Sequence, residues 1–130
     1  MAKIKLGSAA KNFPVTIKVP MLDGTEGAVK VSYIYRTRTD FGELIDGLMN
    51  AAGLKPASTD DADIKATLAQ AMERTIENNA DYICSVIDGW DLDVEFSRQA
   101  VEQLCNEFPG AAIAIMERYR VAITEGRLGN

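Results

Sequence analysis

The stretch Phe13-Pro14-Val15-Thr16-Ile17-Lys18-Val19-Pro20, followed by Val29-Lys30-Val31-Ser32-Tyr33-Ile34-Tyr35-Arg36, decides the architecture. Large apolar residues occupy every second position in both segments, which puts them on one face of an extended chain. Pro14 and Pro20 cannot donate to a ladder and so belong at a strand edge or boundary. Asp23-Gly24 and Gly27 lie between the segments and supply turn chemistry, so the pattern predicts an antiparallel hairpin. The connection is longer than the tight two-residue type; it leaves the register open and the tip is expected to be mobile. A two-stranded sheet is marginal in water, so the Val/Tyr face needs helices or another copy's sheet against it.

Helices follow the hairpin. Asp40 and Glu43 have capping-box spacing, and Phe41, Leu44, Ile45, Leu48, Met49 and Ala52 recur on one helical face up to Gly53. Residues 54–63 hold Pro56, Ser58, Thr59 and several aspartates, which predicts a flexible connector. From Ile64 a helical period runs through Leu68, Met72, Ile76, Ile83 and Ile87 to Gly89, with Asn79 on the apolar stripe as the place for a bend. Ser97 is an N-cap residue, with Phe96 and Val101 placed as a hydrophobic staple. Glu107-Phe108-Pro109 predicts a turn into a last helix, whose inward stripe is Ala112, Ile115, Met116, Tyr119, Ala122 and Ile123 up to Gly126. The expectation is one α+β domain over residues 1–130. Its antiparallel hairpin region (10–38) precedes about four helices within 40–126 that share a single core.

The 130-residue chain is 47% apolar and 25% charged, an ordinary globular balance. A net charge of -5 gives no whole-molecule attraction to a phosphate backbone, and no apolar run approaches the roughly 18 residues of a membrane span. The start Met1-Ala2-Lys3-Ile4-Lys5 is not followed by a signal-peptide core, so a cytosolic protein is expected. Cys84 and Cys105 stand 21 positions apart in a chain without histidine, which leaves neither zinc-ligand spacing nor a Cys-His pair; they read as buried, reduced thiols.

Catalytic chemistry finds little to work with. The commonest general base is absent, and there is no phosphate-binding glycine loop, nucleophile elbow or dinucleotide fingerprint. The protein is therefore expected to be no enzyme and to need no cofactor. Asp88, Asp91, Asp93 and Glu95 form an acidic cluster, but counting a calcium loop from Asp91 puts Phe96 where glycine is required, so a solvated interhelical loop is the better reading. A helix-turn-helix at residues 98–125 is unsuited to DNA, because the second helix opens Pro109-Gly110-Ala111-Ala112-Ile113 with nothing to read base edges. The side chains suited to a protein partner are Trp90, the strand residues Tyr33, Tyr35, Arg36 and Arg38, and Arg118, Tyr119 and Arg120 of the last helix. Core packing competes for the tyrosines, Trp90 can fold back over the core, and Glu117 and Glu125 compete for the arginines of the last helix.

Taken in order, Phe13-x-Val15-x-Ile17-x-Val19-Pro20, Asp23-Gly24, Val31-x-Tyr33-x-Tyr35-Arg36-Thr37-Arg38, Gly89-Trp90-Asp91, Phe96-Ser97, Phe108-Pro109, Tyr119 and Arg127-Leu128-Gly129-Asn130 span almost the whole chain. This sequence resembles the tail assembly chaperones of long-tailed bacteriophages. The resemblance implies a protein of the host bacterial cytoplasm that binds the tape measure protein, keeps it soluble, helps recruit tail tube subunits and is absent from the mature virion. It also implies a longer product, made by a -1 ribosomal frameshift, that contacts the major tail tube protein. Self-association is expected separately, from the open edge of the hairpin and the helical stripes. Leu128-Gly129-Asn130 is compatible with a slippery heptamer of three G, three A and one further base. The competing reading is an acidic inhibitor, such as a DNA mimic, that occupies a basic partner; apolar stripes and arginines interrupting the acids weigh against it.

Overall fold

The structure is a computed structural model that describes residues 4–7, 10–51 and 76–126. Strand β1 (Asn12–Pro20) pairs antiparallel with β2 (Glu26–Ile34), with Val15 opposite Val31 and Ile17 opposite Val29. The register that spacing left open is set at both ends. At the tip, the Met21 amide donates to the Thr25 carbonyl at 2.8 Å, and Gly24 takes φ 86°, a conformation suited to glycine. The Asp23 carboxylate accepts from the Thr25 hydroxyl and amide, and these bonds hold its pKa below the usual carboxylate value. At the open end the Tyr35 amide donates to the Lys11 carbonyl at 2.8 Å.

Helix α1 (Arg38–Ala51) begins earlier than the Asp40 cap expected from sequence. Thr37 is the cap, its hydroxyl accepting from the Asp40 amide at 3.1 Å, so Asp40 lies inside the first turn. Gly53 and the 54–63 connector lie outside the described residues. So does the first half of the expected long helix; helix α2 is described over Ile76–Val86, where Asn79 is buried as its place on the stripe implies.

A third strand, β3 (Ile87–Trp90), corrects the expectation that the helix runs to Gly89 and that an interhelical loop follows. It pairs antiparallel with β2 and gives the order β1-β2-β3. The physical reason is the second edge of β2, whose backbone groups need partners. Trp90 lies opposite Val31 and Gly89 opposite Ser32, with an irregularity before Ile87 meets Tyr33. Asp91 extends the ladder one step: its amide donates to the Lys30 carbonyl at 3.0 Å and its carboxylate accepts from the Lys30 amide at 2.8 Å.

Helix α3 (Arg98–Glu107) starts where expected, with the Ser97 hydroxyl accepting from the Ala100 amide at 3.1 Å. Arg98 ties it to α2 through Asp81 at 2.6 Å. The Phe108 amide closes α3 on the Leu104 carbonyl, Pro109 opens α4 (Pro109–Glu125), and Gly126 ends it at φ 70°. Val15, Ile17, Val19, Val29, Val31 and Tyr33 form the buried face of the sheet, and the helices cover it in an α+β arrangement. Phe41, Ile45, Ile83, Ile115 and Met116 belong to the same hydrophobic cluster. Burial of this face is the main stabilising term of the fold.

Candidate functional site

The eight side chains singled out for partner contact separate into distinct environments. Tyr33 and Tyr119 lie inside the core, with ring centroids 5.2 Å apart; Phe13 is 5.4 Å from Tyr33 and Phe41 is 5.7 Å from Tyr119. Their polar ends are satisfied there. The Tyr33 hydroxyl donates to the Ile115 carbonyl at 2.6 Å and that of Tyr119 to the Ile34 carbonyl at 2.7 Å, while the Arg36 guanidinium donates to Tyr119 at 3.2 Å. Burial raises both phenol pKa values. Tyr35 and Arg38 are exposed just beyond this cluster, Arg118 is half-buried, and Arg120 pairs with Glu117 along α4. Trp90 stands apart from the other seven, beside an apolar groove.

This groove, of about 360 Å³, lies between the tip of the hairpin and the helices. Its floor is Val19 and Val29 of the sheet, and the facing wall is Ala100 and Leu104 of α3 with Ala111 of α4. Trp90, Leu92 and Val94 close one side. The Trp90 indole N–H donates to the Val94 carbonyl at 2.7 Å and its ring meets Phe96 edge-on at 5.1 Å, so the loop wall is braced. Met21 supplies a flexible wall over Gly27, where an added Cβ would come within 3.0 Å of the methionine sulfur. At the surface the apolar lining continues outward through Val94 at 49% exposure and Phe108 at 41%.

The ionisable side chains of the lining are Asp93 and Glu107, both exposed; no basic residue lines it among the described residues. An apolar cleft with an acidic rim suits a segment that brings greasy side chains and positive charge. Sequence reasoning found Trp90 but missed Met21, Leu92, Val94 and Phe108. The signal available for them was large apolar side chains in segments that periodicity assigned to turns and loops.

The other chemistry-bearing residues are accounted for locally. Asp91 belongs to the sheet ladder, Asp88 accepts a hydrogen bond from the Asn12 amide group, and no group of metal-ligating side chains occurs among the described residues. Both cysteines are free. Burial pushes the Cys84 thiol up, and that of Cys105 up to about 11, which disfavours a thiolate nucleophile. No described helix is long and apolar enough to cross a membrane. Comparison with known proteins returned a family model described as "Phage tail assembly chaperone", which matches residues 1–130. No curated protein and no solved structure matches the chain.

Proposed function

This chain belongs to the phage tail assembly chaperone family, and from that premise we propose that it binds the tape measure protein, keeps it soluble and assists assembly of the tail tube around it, without catalysing a reaction. The observation that carries this reading is the apolar groove bordered by the exposed side chains of Val94 and Phe108. A long, apolar helical client aggregates through the surfaces that such a groove covers, and many copies along one client give avidity from weak individual contacts. The same proposal places the protein in the host bacterial cytoplasm and outside the mature virion. It includes contact between copies gathered on the client and, through a longer frameshifted product, contact with the major tail tube protein.

Co-expression with the tape measure protein tests the reading. The client is expected in the supernatant with this chain and in the pellet without it. A client equally insoluble in both cases contradicts the proposal.

A further inference from the structure

We infer that the groove between the hairpin tip and helices α3 and α4 receives one amphipathic helix of the client, whose apolar ridge fills the cleft and whose flanking Lys or Arg residues face Asp93 and Glu107. This rests on the reading of the chain as a chaperone for a helical client and names the chemistry of the segment it holds. Two features select that occupant. The floor is built from the core-facing side chains Val19 and Val29, and β3 with Asp91 pairs the neighbouring stretch of β2 over residues 30–33, so the occupant meets an apolar side-chain surface beside a ladder that is already filled along that stretch. The rim is acidic on both the loop side and the helix side, at Asp93 and Glu107, which favours positive charge on both flanks of the ridge. Met21 adapts the width of the cleft to different apolar ridges, as a chaperone with repeated contacts along one client requires.

Trp90 is the single tryptophan and lines the groove, so its fluorescence reports occupancy directly. The full chain is titrated with two synthetic helical peptides that share one leucine ridge, the first flanked by lysines and the second by glutamates, with calorimetry as an independent measure of binding. At low salt the lysine-flanked peptide is expected to bind about tenfold more tightly and to change Trp90 emission; the preference shrinks as salt screens the exposed rim. The double variant Asp93→Lys, Glu107→Lys changes exposed side chains and is expected to keep the native circular dichroism while preferring the glutamate-flanked peptide. Equal affinity for both peptides, an unchanged preference in the double variant, or binding that leaves Trp90 emission unaltered overturns the inference. So does a peptide that binds only by dissociating a dimer, which assigns the groove to a second copy. A client kept soluble on co-expression while the peptides ignore the groove sinks this assignment alone; peptide binding with an insoluble client sinks the chaperone reading instead.

Discussion

The Tyr33 hydroxyl and the Ile115 carbonyl meet inside the core, where neither has water as an alternative partner. Tyr33→Phe is therefore expected to lower stability by about 1 kcal/mol, measured as a reduced urea midpoint without a change in slope. Cys105 makes a pH-dependent contribution. Its thiol loses a proton near 9 when unfolded but at about 11 when folded, so the stabilisation present below pH 9 declines as pH rises through that interval. The raised phenols of Tyr33 and Tyr119 act in the same direction at higher pH. Unfolding followed from pH 8 to pH 11 should show this decline, and Cys105→Ala should make it shallower. Alternation puts Tyr33 and Tyr35 on the same face, yet how far along it the helices reach depends on packing: Tyr33 is buried, while Tyr35, one residue past the end of β2, is exposed. Tyr33 and Tyr119 consequently stood among the partner candidates, although their rings lie in the interior.

Strand β1 forms one edge of the sheet, and its register shows which backbone groups are open. The Tyr35–Lys11 bond continues the ladder in which odd-numbered residues of β1 bond to β2, so residues 12, 14, 16, 18 and 20 turn their backbone outward. Pro14 and Pro20 remove two donors from that edge, a feature that discourages strand addition by another copy. Replacing both by threonine is expected to increase concentration-dependent light scattering; scattering like that of the parent would show that the prolines do not guard the edge. Loss of the α3 cap in Ser97→Ala should cost about 1 kcal/mol in a thermal or urea melt. The Ser97 cap and the Phe108-Pro109 break were legible because local chemistry sets them. Strand β3 was not: four residues are too few to show a period, Asp88-Gly89 reads as a turn, and the strand exists because β2 has an edge to fill.

At the scale of the whole molecule, the hairpin pattern and helical stripes sufficed for the α+β class, because each depends on periodicities local to one element. The groove depends on three separate regions, 19–29, 90–94 and 100–111, and no local pattern announces their meeting. Self-association, which sequence suggested through an open hairpin edge and helical stripes, finds that edge interrupted by prolines; the apolar surfaces open to sharing include the groove with the exposed Leu22, Val94 and Phe108, and Ile113 on α4. The account predicts that the client, rather than a β1 edge, gathers the copies. Hydrogen–deuterium exchange of the full chain with and without the tape measure protein tests it most directly. Protection concentrated in segments 19–29, 90–94 and 100–111 is the predicted result, and protection confined to the outer edge of β1 or to α1, with the groove segments unchanged, would contradict it.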